Sequence, residues 1–506
     1  MITTTNPRTG VSTATDLEAT SAPEVGHIAE RAQQTAFEFA ACGREGRARM
    51  LDAIADSLDG DRDVLVQTAD EETGLGVPRL NGELNRSIFQ FRLFAEALRE
   101  GSYIEAMIDR ATETALGAAP ELRRMLVPLG PVAVFGSSNF PFAFSVAGGD
   151  TASALAAGCP VVLKAHSSHP LTSLRSFEAI SAGLASADAP DGTIGLVFGQ
   201  AAGSLLVAHP AIKAVGFTGS LAAGKALQNV INDRDAPIPF YGELSSLNPL
   251  VITANAAGAR SAQIAQGLFT SFTGSAGQLC RKPGIAFVPT GEAGDSLVEA
   301  IRDLVEQAEG QVLLNRRIFS AYQDISERLI KRGGGAVATA HTAIATATSG
   351  YLAAPTLLTT KATHMTNELT EECFGPLIVV VRYENLEELD DAFRQLPNSL
   401  TATVHVEDDE PELLMELTNR LAPRSGRIVY NGFPTGVRVS WAQHHGGPWP
   451  ATNTLHTSVG VTAIRRFLRP FVWQDAPQSV LPQELRDGPV AVPRRLDGRI
   501  VLPLEG

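Results

Sequence analysis

Two hydrophobic rhythms divide this chain. Between about Glu24 and Tyr103 apolar residues return at helical spacing: Met50, Leu51, Ile54 and Leu58 in one stretch, Leu80, Leu84, Ile88 and Phe94 in another. Positions three and four apart share a helix face, so the pattern predicts amphipathic helices. Residues 121–126 read as a strand that Pro128 interrupts, since proline has no N–H to give a ladder. From Pro131 the period changes to short apolar runs, at 132–135, 161–163, 194–198 and 214–217, with helix-like segments such as 144–157 and 221–231 between them. Gly158 and Pro160 end the first of those segments. Strands alternating with helices predict βαβ units and a parallel sheet, whose strand ends are where ligands bind. A second alternating series, at 250–253, 285–288, 377–381 and 402–406, predicts a second α/β domain. The tail from Asp475 is rich in Pro and Leu and reads as a wrapping segment; no internal repeat or low-complexity tract interrupts the chain.

Composition narrows the class without altering that picture. At 506 residues the chain is too long for one ordinary core, which favours two or three domains. A net charge of −14 and the lack of a long basic run argue against nucleic acid as the main partner. No apolar stretch approaches the ~18 residues of a membrane span. Residues 1–20 are rich in Thr and Ala, without the apolar centre of a signal peptide. A cytoplasmic protein with no membrane or nucleic-acid partner is expected. The four cysteines (Cys42, Cys159, Cys280, Cys373) form no CxxC pair and no metal-ligand spacing, so no disulfide framework and no metal are expected. Cys42 and Cys159 read as small buried hydrophobes.

Cys280 differs in its setting. It ends the run Gly274-Ser275-Ala276-Gly277-Gln278-Leu279-Cys280, after a helix-like stretch with Ile264, Leu268, Phe269 and Phe272 on one face. Glycines let the backbone turn and approach closely, which presents a thiol to a ligand, and a thiolate attacks carbonyl carbon well. Asn139, in the loop 136–141 after a strand, suits an oxyanion donor, though alone a loop Asn more often satisfies its own turn. Lys164 follows a strand and suits a ribose or phosphate; alone it reads as solvated. Gly219 and Ser220 lie between a strand and a helix, where free N–H groups face an anion. The spacing Gly219-x4-Gly224-Lys225 is that of a P-loop, but Ala226 stands where the magnesium-ligating hydroxyl belongs. Glu243, 37 residues before Cys280, suits a general base. His444-His445 resembles a metal pair only superficially, because adjacent residues converge poorly as ligands.

Taken in order, Asn139-Phe140-Pro141, Lys164, Phe217-Thr218-Gly219-Ser220, Glu243-Leu244, Gly277-Gln278-Leu279-Cys280, Glu372-Cys373-Phe374-Gly375-Pro376 and Asn431-Gly432 resemble the aldehyde dehydrogenase superfamily over nearly the whole chain. The runs 140–145, 163–166, 431–437 and 445–452 are similar to its branch of α-ketoglutaric semialdehyde dehydrogenases and NADP-linked aldehyde dehydrogenases. The resemblance implies an α/β fold with a Rossmann-type cofactor domain (residues 1–120 and 128–243), a catalytic domain (244–445) and a small β oligomerisation element (121–127 and 460–506), in a homodimer or homotetramer. It implies a Cys280 nucleophile, a Glu243 base and an Asn139 oxyanion donor. Lys164, Ser167, Gly219, Ser220, Glu372 and Phe374 would contact NADP or NAD, and Cys373 would be structural. Where many NAD-preferring members carry a Glu, this chain has Ser167, which tilts the expectation to NADP, with His166 and His169 as further donors. The usual Gly-Gly after Glu-Leu is Ser245-Ser246. The implied reaction is oxidation of 2,5-dioxopentanoate to 2-oxoglutarate, with Phe140, Arg281 and Arg438 as substrate contacts. The alternatives are a broader oxidiser of fatty or aromatic aldehydes, a P-loop nucleotide hydrolase, or a catalytically silent binding protein.

Overall fold

A computed structural model describes residues 1–332, 335–339 and 350–503. The helical opening resolves into four helices, Ala22–Ala41, Gly43–Gly60, Arg62–Thr73 and Val77–Glu100. Ser21 begins the first with a capping box to Glu24, and left-handed glycines, Gly74 and Gly101, end the third and fourth. A two-stranded ladder of Thr3–Asn6 with Val11–Ala14 precedes them; its polar, exposed residues gave no apolar alternation to read.

The first apolar series forms a five-stranded parallel sheet in the order Phe240–Glu243, Ala214–Thr218, Val132–Phe135, Val161–Lys164, Ile194–Val197. These strands are fully buried in the middle of the sheet, hence the continuous rather than alternating apolar runs. One face packs on Gly43–Gly60, Val77–Glu100, Gly149–Ala157 and Pro170–Ser186; the other on Ala22–Ala41, Gln200–Ala208 and Leu221–Asn232. The chain starts in the middle strand and builds outward in both directions. The reversal falls between Val132–Phe135 and Ala214–Thr218, the switch point at which doubly wound sheets open a crevice.

The second series forms a seven-stranded sheet: Gly335–Thr339, Thr356–Lys361, Leu377–Tyr383, Ile285–Pro289, Leu250–Ile252, Ala402–His405, Ile428–Tyr430. All neighbours are parallel except the first pair. A third sheet places Leu468–Gln474 at its edge, antiparallel to Leu122–Pro128, with Ala106–Asp109 and Arg494–Leu496 beyond. No helix among the described residues is long and apolar enough to cross a membrane.

Several boundaries differ from expectation. Pro128 closes its strand rather than interrupting it, so it needs no onward ladder. The helix expected over 144–157 begins at Gly149, because Phe142 to Gly148 fold into turns; a Cβ at Gly148 would lie 2.8–2.9 Å from neighbouring backbone atoms. Residues 461–467 of the expected oligomerisation element are 3-10 turns, and the strand starts at Leu468. The expected oligomerisation tail also includes 504–506, which lie outside the described residues.

Candidate active site

The two large sheets both contribute residues to one site. The carboxyl ends of the first deliver Asn139, Lys164, Gly219 and Glu243, and the loops entering the second deliver Cys280 and Glu372. The helix Ala254–Thr273 stops at Gly274, and the next three residues are left-handed: Ser275 (φ 52°), Ala276 (φ 55°) and Gly277 (φ 68°). Two of these are not glycine, so their conformation is strained and must be held from outside. Arg79 Nε donates to Ser275 Oγ (2.7 Å), Gln278 Nε2 donates to Ser275 O (3.1 Å), and Leu314 N donates to Gln278 Oε1 (2.9 Å). A Cβ at Gly277 would lie 2.2 Å from Gly375 O, so only glycine lets this turn dock. On the far side Lys282 Nζ donates to Cys373 O, Gly375 O and Leu377 O (2.7, 3.1 and 2.9 Å). Cys280 is thus fixed at both shoulders and half-buried.

Glu243 ends its strand almost completely buried (3% exposed). His445 Nε2 donates to its Oε1 at 2.9 Å and Ser458 Oγ to its Oε2 at 2.7 Å. The same His445 Nε2 lies 3.8 Å from Cys280 Sγ. The ligating atoms of Glu243, Cys280 and His445 all fall within 4.8 Å of one another. The His445 loop is held by His445 N donating to Thr457 Oγ1 (2.7 Å), Ser458 N to His445 O (2.9 Å) and Leu244 N to Ala451 O (2.9 Å). A Cβ at Gly447 would lie 2.4 Å from Ser399 O, so this loop also depends on glycine.

The three groups set one another's charge. Burial opposes ionisation of Glu243, but the electrostatic attraction and hydrogen bond of the His445 ring, then the Ser458 hydroxyl, outweigh it and hold the carboxyl low. Burial pushes His445 below its usual range against the pull of the carboxylate. A neutral imidazole donating Nε2–H to an ionised Glu243 satisfies both. Burial and then the Glu243 charge push the Cys280 thiol up to about 12, while Arg281 works the other way. The resting thiol is therefore protonated and stands beside a carboxylate.

Asn139 Nδ2 donates to Gln278 O (2.9 Å), which aims the amide at the Cys280 loop. Phe140 stacks near Phe144 (ring centroids 5.2 Å) beneath the Arg79 guanidinium (4.9 Å). Arg281 is buried, with Nη1 donating to Pro434 O (2.8 Å). Arg438 is exposed, has no hydrogen bond or ion pair among the described residues, and does not join the cluster.

The dinucleotide-contact candidates lie at the carboxyl ends of strands of the first sheet and on the loop that leads into Leu377–Tyr383. Lys164 ends its strand with an ammonium that has no hydrogen-bond or ion-pair partner among the described residues, and burial lowers its pKa, so it is a desolvated cation lacking an anion. Ser220 caps the helix Leu221–Asn232, accepting from Ala223 N (3.3 Å), with Gly219 just before it. Glu372 Oε2 accepts from Ser245 Oγ (2.5 Å) and Ser246 N (3.2 Å); the two serines that replace Gly-Gly hold this carboxylate. Phe374 is half-buried beside it, and Ser167 is exposed on the turn after Lys164. An unpartnered ammonium, a helix N-terminus and a fixed carboxylate are groups that would fit a dinucleotide.

Two expectations here need correction. His169 is not a free donor: it is fully buried, with Nε2 on Ser137 O (2.8 Å) and Nδ1 on Ser173 Oγ (3.3 Å). The P-loop reading also fails, because the helix starts at Leu221 and Gly224 lies inside it. There a Cβ would meet Leu244 at 2.3 Å, and Lys225 points out over Trp449 (5.8 Å).

The sequence matches the aldehyde dehydrogenase family over residues 1–448. The chain belongs to the aldehyde dehydrogenase family. It is 40% identical over 489 residues to a protein named alpha-ketoglutaric semialdehyde dehydrogenase from Acinetobacter baylyi, covering 94% of this chain and 91% of that one. It is 41% identical over 487 residues to alpha-ketoglutaric semialdehyde dehydrogenase 2 from Azospirillum brasilense, with the same coverage. In fold it superposes on PnpE in complex with nicotinamide adenine dinucleotide (TM-score 0.79, 21% identity, 94% of this chain and 95% of that one). It also superposes on aldehyde dehydrogenase 21 from Physcomitrella patens (TM-score 0.78, 20% identity, 95% and 96%). As an aldehyde dehydrogenase, the protein is an NAD(P)-dependent oxidoreductase that converts aldehydes to acids.

His445 is the residue that sequence reasoning passed over. In sequence it pairs only with its neighbour His444, whereas its partner Glu243 is 202 residues away. The one local signal was the Gly446-Gly447 pair after it, which marks a tightly packed loop.

Proposed function

We propose that this aldehyde dehydrogenase oxidises 2,5-dioxopentanoate to 2-oxoglutarate, prefers NADP, and uses Cys280 as its nucleophile. The observation that carries the nucleophile is the convergence of Cys280, Glu243 and His445 within 4.8 Å. The two relatives at 40–41% identity support the substrate through their names.

In this mechanism Cys280 Sγ bonds to the aldehyde carbon as its proton passes to the Glu243 carboxylate. The second amide hydrogen of Asn139 and the Cys280 N–H, neither with a protein acceptor among the described residues, hold the resulting oxyanion. Lys164, Ser167, Gly219, Ser220, Glu372 and Phe374 hold the dinucleotide, which supplies the hydride acceptor when bound. The carbon, now oxidised, remains on Cys280 as a thioester. Glu243, with its proton released, takes one from water, the hydroxide adds to the thioester carbon, and the Cys280 thiolate leaves. His445 and Ser458 position Glu243 for this second task. Ser167 leaves its turn without the carboxylate that would repel a 2′-phosphate, which supports NADP.

The exposed edge strand Leu468–Gln474, carrying Phe471 and Val472, supports a second copy of the chain as partner, in a homodimer or homotetramer. Initial rates on a panel of aldehydes, each with NAD and with NADP, test the whole reading. The highest kcat/KM is expected for the oxo-acid aldehyde with NADP. Oxidation of long uncharged aldehydes, with none of the oxo-acid aldehyde, would replace it with the broader fatty or aromatic reading.

A further inference from the structure

Arg86, on the helix Val77–Glu100, played no part in the sequence-derived site, yet it lies beside Cys280, Glu243 and Arg281. Its guanidinium lies 5.5 Å from the Phe144 ring, and that ring is 6.1 Å from His445. Arg86 Nη1 donates to Val437 O (2.9 Å), while Arg281 Nη1 donates to Pro434 O (2.8 Å). Two guanidiniums from opposite sides therefore hang on one short loop. Arg427 grips the same loop through Pro434 O (3.0 Å) and Gly436 O (3.3 Å).

The charges do not balance. Arg86 Nε, Arg86 Nη2 and Arg281 Nε are buried without a hydrogen-bond partner among the described residues, and neither arginine has an ion pair there. The two nearby carboxylates are already engaged. Glu83 receives Arg79 Nη1 (3.0 Å) and the N–H groups of Phe142 and Ala143 (2.7 and 3.0 Å). Glu243 receives His445 and Ser458. Burial, followed by the Arg281 charge, pushes Arg86 down to about 10, the direction expected for like charges held together without a counterion. Leaving several charged donors unpaired in a buried site is costly unless an anion completes them.

We propose that Arg86 and Arg281 together form the subsite for the substrate's carboxylate, with Arg86 the main specificity-determining residue. The proposal rests on the oxo-acid reading above. An aldehyde bonded to Cys280 with a carboxylate a few bonds away places that anion between the two guanidiniums, where the unpaired N–H groups donate to it. A guanidinium fork suits a planar carboxylate, whereas an uncharged chain would leave the same donors unpaired.

The test compares 2,5-dioxopentanoate with pentanal, of equal chain length, in the full-length enzyme and in Arg86→Met. The wild type should favour the charged aldehyde in kcat/KM. In Arg86→Met the preference ratio should fall by about tenfold to a hundredfold, mainly through KM for the charged aldehyde. Arg86→Lys should fall between the two, because it keeps charge but loses the fork. A second measurement needs no variant: glutarate should inhibit pentanal oxidation competitively in the wild type, and its neutral diamide should not. A wild-type preference that survives Arg86→Met within about twofold, or equal inhibition by glutarate and the diamide, overturns the arginine subsite and leaves the substrate reading standing. A wild type without preference for the charged aldehyde overturns both.

Discussion

Cys280 and Cys373 are both thiols that burial pushes up to about 12, and both lie near a glutamate, so acidity alone does not tell them apart. Their surroundings do. Cys373 belongs to the apolar core around Leu369 and Leu377, and it is the backbone carbonyl, not the sulfur, that is used, accepting from Lys282 Nζ. Cys280 leaves a run of left-handed residues and faces His445 and Glu243 across an open site. A low pKa in the resting state is therefore not what marks the proposed nucleophile; a proton acceptor within reach is. The largest effect follows from that contrast. Cys280→Ser should lower aldehyde oxidation by at least about a thousandfold in steady-state assay, since a hydroxyl beside the same carboxylate is a far poorer nucleophile toward carbonyl. A Ser variant that kept the wild-type rate would leave the two cysteines equivalent.

Glu243→Gln sharpens the comparison at both steps. An amide can take a proton neither from the Cys280 thiol nor from water, so the first equivalent of reduced cofactor should form slowly and steady turnover should fall by about a hundredfold to ten-thousandfold. Rapid-mixing absorbance resolves the two phases. A fast burst of one full equivalent followed by a stall would confine Glu243 to hydrolysis and remove it from the activation of Cys280.

The parts of this site that were legible in the sequence are those whose signal is local. Buried strands such as Val132–Phe135 are continuous apolar runs ending where ligands bind, and Gly277 flags a turn that no side chain can enter. The fold class follows from the alternation of such runs with helices. His445 and Arg86 were not legible, because each acts through a contact made by the docking of distant segments: Glu243 with the 445–458 loop, and the helix Val77–Glu100 with the loop at Pro434 to Val437. A histidine in a glycine-rich loop and an arginine on an amphipathic helix look ordinary until the sheets meet. The shifted start at Gly149 has a similar cause: the Glu83 carboxylate, on a distant helix, takes the N–H groups of Phe142 and Ala143 and holds the turns that run up to Gly149.

His445→Gln separates the two cysteines more finely, since only Cys280 has this neighbour. The variant should lower kcat by about tenfold to a hundredfold, the usual worth of a hydrogen bond to a charged group. Its pH profile gives the sharper reading. His445 is a main reason the buried Glu243 stays ionised. Weakening that support lets burial raise the carboxyl pKa, so the acid limb of kcat should move to higher pH, measured between about pH 4 and 9. An unmoved limb would show that Ser458 alone suffices.

The smallest effect belongs to Cys373→Ala. Activity should stay near that of the wild type, and the loss of one buried sulfur should cost about 1–2 kcal/mol in denaturant unfolding. The dependence on pH has a definite sign. The native thiol is raised from 9.0 to about 12. Below 9.0 both states hold the proton and the thiol contributes no slope. Between the two values the unfolded chain loses it while the native core keeps it, so stability contributed by this group falls as pH rises. Comparing unfolding at pH 8 and at about pH 10.5, the variant should lose less stability than the wild type. An equal loss would mean that the Cys373 sulfur titrates freely, and the contrast with Cys280 would then rest on geometry alone.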